Sequence, residues 1–158
     1  MEVDAFLADA VQAIGGKLSA LGVGWRVLSV GGLPARHDRI GLGVMVHLLG
    51  AETGGHRLDL ALLDPDGTAR TLGNAPDGSD IRTLQAPFDV PGSGERTATF
   101  ALNLDGLVFE RAGGYTFVVS VDGEERARLP FAVAMGGAGQ PPGDQTGTGT
   151  GIAAPGYL

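Results

Sequence analysis

Apolar and polar residues alternate along most of the chain between residues 40 and 133. In the first run, apolar side chains stand at every second position from Ile40 to Leu48, with Gly41, Gly43 and His47 among the residues between them. Successive side chains of a strand point to opposite faces, so this period of two predicts a strand with one buried face. The same pattern predicts four further strands, at residues 58–62, 98–104, 115–121 and 127–133.

Turn sequences follow these runs and place glycine where a tight turn needs a positive φ. They are Asp64-Pro65-Asp66-Gly67, Asp77-Gly78, Asp105-Gly106 and Asp122-Gly123. Short strands separated by such turns, with no helical pattern among them, are typical of sandwiches. The pattern therefore predicts an all-β fold, an antiparallel immunoglobulin-like β-sandwich of about seven to nine strands.

Pro130 interrupts the last of the predicted strands. Because proline has no N–H to donate to a strand ladder, it is confined to edge strands and bulges. We therefore expect residues 126–133 to lie at a sheet edge or to contain a bulge at Pro130. An edge strand can pair with a strand of another chain, so this segment is predicted to be a docking site.

The N-terminal segment fits two structures. From Val3 to Ile14 apolar residues recur at helical spacing, and Gly15-Gly16 could cap such a helix. The residues on either side of that glycine pair also alternate between apolar and polar, which fits a β-hairpin that turns at residues 14–16. The spacing of the apolar residues leaves both structures open.

Four short segments of the chain resemble an uncharacterised bacterial family of small β-sandwich proteins. The segments are Leu7-Ala8-Asp9-Ala10, Gly16-Lys17-Leu18, Leu21-Gly22-Val23-Gly24-Trp25 and Gly113-Gly114-Tyr115-Thr116-Phe117. The resemblance covers about residues 3–133, and it implies that the N-terminal segment is a pair of strands. The family has no assigned activity, so the resemblance implies a fold and no catalytic residue.

The composition changes after Met135. Residues 136–158 contain eight glycines, three prolines and a single charged residue, Asp144. So few large apolar side chains cannot offset the entropy lost on ordering glycine, and the segment is predicted to be a disordered tail behind a domain of residues 1–135. The closing residues are predicted to act as a tethered docking peptide: Pro155, Gly156, Tyr157 and Leu158.

The charge balance argues against two kinds of partner. The chain has 18 acidic and 11 basic residues, and its net charge of -7 disfavours nucleic acid and anionic membrane surfaces. No run approaches the roughly 20 apolar residues of a membrane span, and the N-terminus is acidic where a secretory signal would be basic. We therefore expect a soluble cytoplasmic protein.

Motifs for catalysis are missing from the sequence. The chain lacks cysteine, and its three histidines, His37, His47 and His56, do not stand at metal-ligand spacing. Ser93 lies in a Gly-Ser-Gly turn rather than a nucleophile elbow, and no glycine loop opens onto a helix that could bind phosphate. The sequence predicts a protein that is not an enzyme and has no cofactor. An enzyme would need a pocket that joins His47 or His56 to a carboxylate.

Oxygen ligands are concentrated in two neighbouring loops. Asp64, Asp66, Asp77 and Asp80 lie there together with Asn74, and loop carboxylates of this kind can bind calcium. Turn formation explains the same residues. The leading hypothesis is a non-catalytic binding or assembly module whose partner is another protein or a second copy. The alternative is a calcium-assisted ligand-binding β-sandwich.

Overall fold

The computed structural model describes residues 1–92 and 94–136 and contains strands and no helix in that range. No helix of the described residues is therefore long and apolar enough to cross a membrane. Ser93 and the predicted docking residues Pro155 to Leu158 lie outside the described residues. The strands are β1 Glu2–Ala8, β2 Ala10–Ile14, β3 Lys17–Leu21, β4 Val27–Val30, β5 Ala35–Leu48, β6 Gly54–Leu63, β7 Gly73–Asn74, β8 Asp80–Ile81, β9 Thr83–Val90, β10 Arg96–Phe109, β11 Gly113–Val121 and β12 Glu124–Met135.

The strands form two larger sheets and two short ribbons. One sheet has the order β1-β5-β10 and the other the order β4-β12-β11-β6-β9, while β2 pairs with β3 and β7 with β8. The prediction of an all-β fold is confirmed. The twelve strands of the described residues exceed the seven to nine that were predicted, and β4 pairs in parallel with β12 where only antiparallel pairs were expected.

The two larger sheets share one hydrophobic core. The positions predicted to face inward on β5, from Ile40 to Leu48, are at most 1% exposed, and alternate residues of β6 and β11 are buried against them. Aromatic rings concentrate at one end, where Phe131 stacks on Phe117 with ring centroids 5.6 Å apart. The period of two therefore identified the buried face correctly.

The sequence predicts a turn between strands at Asp105-Gly106, and this prediction is wrong. β10 continues through these residues to Phe109. Gly106 has the predicted positive φ, 71°, which a residue with a side chain rarely adopts. The unusual φ changes which residues face inward. Leu104 is buried before it, and Leu107 and Phe109 are buried after it, so the alternation shifts by one residue at Gly106.

The N-terminal hairpin is confirmed, and the helix is excluded. β2 and β3 pair from Ala10 to Leu21 and turn at Gly15-Gly16, both with positive φ. The hairpin packs across the outer face of the three-stranded sheet at Gly41, where the hairpin backbone leaves no room for a side chain. The Asn103 side chain accepts a hydrogen bond from Val11 N (3.0 Å) and donates one to Val11 O (2.9 Å), which fixes the hairpin there.

Pro130 lies in an edge segment of β12, as the sequence predicts, because among the described residues β12 has a neighbour on both sides only where it pairs with β4. β4 pairs only with the last part of β12, from Ala132 to Met135, so the proline stands just before the parallel pairing begins. At that place a missing N–H breaks no hydrogen bond to β4. β12 does contain a bulge, but the extra residue is Arg126.

Candidate functional site

The structure places a carboxylate beside two of the three histidines. Nε2 of His47 lies 3.0 Å from Oδ2 of Asp4, and its Nδ1 lies 3.1 Å from Oγ1 of Thr97. Nδ1 of His56 lies 2.7 Å from Oδ2 of Asp122. Sequence reasoning missed both partners because each lies more than forty residues from its histidine in the chain.

The Asp4, His47 and Thr97 side chains form a row on the outer face of the three-stranded sheet. The order carboxylate, imidazole, hydroxyl is that of a nucleophile with its general base. They stand at the edge of a surface cleft of about 410 Å³ that His47 and Thr97 line together with Glu95 and Arg96. The side chains of His47 and Asp4 are 37% and 61% exposed, so water reaches both. The row is therefore a solvated hydrogen-bonded ladder across three strands, and no desolvated site surrounds it.

His56 and Asp122 join the beginning of β6 to the turn between β11 and β12. Asp122 also accepts a hydrogen bond from the backbone N of Arg57, at 2.9 Å. The hydrogen bond with His56 is the main cause that holds the pKa of the Asp122 carboxyl below its usual range. The His56 ring stacks on Phe88, with centroids 5.4 Å apart, and its side chain is only 13% exposed. The hydrogen bonds of Asp122 therefore hold the beginning of β6 against the turn between β11 and β12.

Arg111 pairs with the first two carboxylates of the predicted calcium site. Its Nη2 lies 3.2 Å from Asp64 Oδ2 and also contacts Asp66. Asp64 accepts hydrogen bonds from the backbone N of Asp66 and of Thr68, each 2.9 Å long. Turn formation and a guanidinium thus already use the oxygens that a cation would need.

The other two predicted ligands have separate partners. Asp77 accepts two hydrogen bonds from Ser79, and Asp80 accepts one from the Asn74 side chain across the β7-β8 ribbon. In residues 1–92 and 94–136 no three carboxylates or histidines converge in a way that could hold a metal ion. The structure does not bring the four aspartates together, and calcium binding stays a prediction.

We expect Asp64→Asn to flatten the dependence of stability on pH. The hydrogen bond from Thr68, reinforced by Arg111, lowers the pKa of Asp64 below its ordinary 3.8 in the folded chain. A lowered folded-state pKa stabilises the protein above the unfolded-state pKa, and that contribution is lost as the pH falls through the folded-state value. Asparagine keeps the acceptor oxygen but does not titrate.

The difference in Tm between the native chain and Asp64→Asn should therefore be largest near neutral pH and shrink below about pH 4. Thermal unfolding monitored by circular dichroism between pH 2.5 and 7 measures it. The control is Asp89→Asn, at an exposed aspartate with no ion pair among the described residues. A constant difference for Asp64→Asn across the range would show that the carboxyl charge contributes nothing.

Sheet edges are the remaining feature with a chemical use, because an edge strand presents unpaired N–H and C=O groups. Three of the four terminal strands of the larger sheets offer short or obstructed edges, and the part of β12 that β4 does not reach contains Pro130. β4 has four residues, β9 contains Pro87, and on β1 the carbonyl of Leu7 accepts a hydrogen bond from Gly24 N. The fourth terminal strand is β10, which has fourteen residues and no proline.

β10 pairs only with β5 among the residues that the structure describes. From Thr97 to Leu104 it has no charged side chain, although charges are a common way to protect an edge. Its alternate residues Thr97, Thr99 and Ala101 lie on the outer face of the sheet, opposite His47, Met45 and Gly43 of β5. This edge is therefore long, has no charged side chain from Thr97 to Leu104, and has no partner strand among the described residues.

The two sides of the fold differ in how the larger sheets meet. On one side, residues 24–26 bridge the sheets, since Gly24 N donates to Leu7 O and Ala132 N donates to Arg26 O. On the other side the edges of β9 and β10 face each other, and we call this side the open seam. Phe88 and Phe100 contact there with ring centroids 5.2 Å apart.

Apolar side chains of the open seam are only partly buried. Each of its two strands contributes three that face the core, namely Leu84, Ala86 and Phe88 from β9 and Ala98, Phe100 and Leu102 from β10. A concavity of about 200 Å³ opens at one end, between Val90 and Ala98. The open seam thus combines an unpaired backbone edge with apolar surface.

A comparison with protein families gives one match: a family of unknown function (DUF6941) matches residues 3–134. No curated protein matches the chain. Among solved structures, a Pseudomonas fluorescens alkylpurine DNA glycosylase, AlkC, bound to DNA containing an abasic site analog is 13% identical, with a TM-score of 0.45. A beta-glucosidase from Listeria innocua in complex with glucose is 12% identical, with a TM-score of 0.42.

Both alignments cover 84% of this chain. They cover only 30% of the glycosylase and 16% of the glucosidase, so the chain spans less than a third of either protein's length.

Proposed function

The chain belongs to this family of unknown function, and we propose that its domain is a non-catalytic binding or assembly module that accepts an additional strand at the edge of β10. The observation that carries the proposal is the fourteen-residue edge, which has neither a proline nor, between Thr97 and Leu104, a charge. Edge strands with these properties readily pair with another chain.

Main-chain hydrogen bonds and apolar contacts would both contribute to such binding. An extended peptide that joins a sheet edge gains affinity from its backbone and selectivity from alternate side chains. The half-buried ring of Phe100 lies beside that edge, with Ala98 and Leu102 on the same face. A docked strand would cover these side chains and remove apolar area from water, which favours binding.

The proposal places docking at another strand than the sequence pattern did. Residues 126–131 of β12 do form an edge among the described residues. Pro130 and the charged Arg126 and Arg128 protect that edge from pairing. The finer description of the fold, an immunoglobulin-like sandwich, is also part of the proposal. The shared core of two larger sheets supports it, and the parallel pair of β4 and β12 is a departure from that arrangement.

A peptide with the sequence of residues 96–104, fluorescently labelled and blocked at both ends, tests the proposal against the full chain. We expect saturable binding in fluorescence anisotropy. Thr99→Lys puts a charge on the β10 edge and should weaken binding at least about tenfold, which is 1.4 kcal/mol. The control Thr83→Lys makes the same change on an exposed position of β9.

Saturable binding that Thr99→Lys weakens and Thr83→Lys does not would support strand docking at β10. Failure of the peptide to saturate, or equal loss in the two variants, would contradict it. Circular dichroism spectra and melting curves of both variants would establish that each is folded.

A further inference from the structure

We propose that the strand docked at β10 is β10 of a second copy of this chain, so that two chains pair edge to edge about a two-fold axis. This inference rests on the proposed function, because it uses the same edge. The axis would lie near the middle of residues 97–104. Antiparallel pairing of like strands would join two three-stranded sheets into one six-stranded sheet.

The absence of charged side chains from residues 97–104 of this edge is the first argument for a second copy. Each chain has a net charge of -7, so two copies repel each other and a contact between them is favoured where charges are few. Residues 97–104 include no charged side chain, so no two-fold register of this segment puts like charges opposite each other. Antiparallel pairing also brings the Arg96 end of one strand towards the Asp105 end of the other.

The faces of the strand are the second argument. A two-fold register that pairs residues on the same face keeps the core-facing side chains of both copies on one side. Ala98, Phe100 and Leu102 of one chain would then lie against those of the other and cover both half-buried Phe100 rings. The outer face would pair small uncharged residues, among them Thr97 and Thr99. The segment is thus complementary to itself on both faces.

Closure at two copies follows from the remaining edges. After β10 pairs with β10, the exposed edges of the six-stranded sheet are the two copies of β1. The carbonyl of Leu7 on β1 already accepts a hydrogen bond from Gly24, and Glu2 and Asp4 add negative charge to that strand. Like charges oppose pairing of two such edges, so the assembly should stop at a dimer rather than extend into a fibre.

Sedimentation velocity of the full chain over a wide concentration range tests the inference. We expect the mass to rise with concentration from 16.0 kDa towards twice that value. Thr99→Lys and Thr99→Glu should each stay monomeric, because like charges would meet at the axis. An equimolar mixture of the two should recover a dimer, since opposite charges then face each other across or diagonally between the strands. Thr83→Lys should behave as the native chain.

Recovery in the mixture also demonstrates that both variants are folded. If either does not fold, Thr97→Lys and Thr97→Glu, at an exposed position on the same face, replace them. Native chain that stays monomeric while the peptide of residues 96–104 still saturates would overturn the second copy and leave strand docking intact. A dimer that the Thr99 variants retain would overturn this interface. Absence of both dimer and peptide binding would overturn both proposals.

Discussion

Phe109→Ala is expected to lower the free energy of unfolding by about 3–5 kcal/mol, the usual cost of removing a buried aromatic ring. Phe109 is fully buried, and its ring contacts those of Tyr115 and Phe131 with centroids 5.0 and 5.9 Å apart. The ring faces inward because the positive φ of Gly106 shifts the alternation of β10. Urea unfolding monitored by tryptophan fluorescence measures the loss.

Val108→Ala is the matched control, at the neighbouring residue of the same strand. Its side chain is 51% exposed, and surface changes of this kind alter stability by no more than about 0.5 kcal/mol. If Gly106 did not shift the alternation, Val108 would face the core and Phe109 would face solvent. A larger loss of unfolding free energy for Val108→Ala than for Phe109→Ala would therefore show that the alternation of β10 does not shift at Gly106.

Gly41→Ala is expected to destabilise the protein by about 1–3 kcal/mol, although alanine normally suits a strand better than glycine. A Cβ at position 41 would stand 3.0 Å from both Cα and the carbonyl carbon of Ala10. Backbone atoms cannot rotate away as a side chain can, so the whole hairpin would have to move. That movement would also strain the two hydrogen bonds between Asn103 and Val11.

The control for Gly41→Ala is Gly114→Ala, at a glycine of β11 where a Cβ would meet nothing within 4 Å. There alanine should stabilise the chain by about 0.5–1 kcal/mol, because glycine loses more backbone entropy on folding. Urea unfolding of both variants measures the opposite signs. The same sign for both would mean that the hairpin does not rest on Gly41 in solution.

The sequence marks one sheet edge and not another. Pro130 indicates an edge, and residues 126–131 of β12 have no partner strand on the side away from β11 among the described residues. β10 has no proline or other residue that marks an edge in the sequence, and only the order of strands in the sheet makes it one. The edge position of β10 therefore could not be predicted from its residues.

The histidine contacts also depend on strand order, which the sequence pattern does not reveal. Asp4, His47 and Thr97 each occupy an outward position of their strands, which the period of two predicts. Their meeting depends on β5 lying between β1 and β10 in one particular register. Alternation reports the face of a strand to which a side chain belongs, but not which other strand lies beside it.

Sequence alone determined the features that depend on neighbours in the chain: the strand class, the buried face of β5 and the positive φ of Gly106, while it left the N-terminal hairpin and a helix both open. The determined features follow from the alternating geometry of a strand and from the φ angles that glycine permits. Tertiary structure decided the strand order, the parallel pair of β4 and β12, the shift at Gly106 and the open edge of β10. Those features depend on long-range packing and hydrogen bonding, and local periodicity carries no information about them.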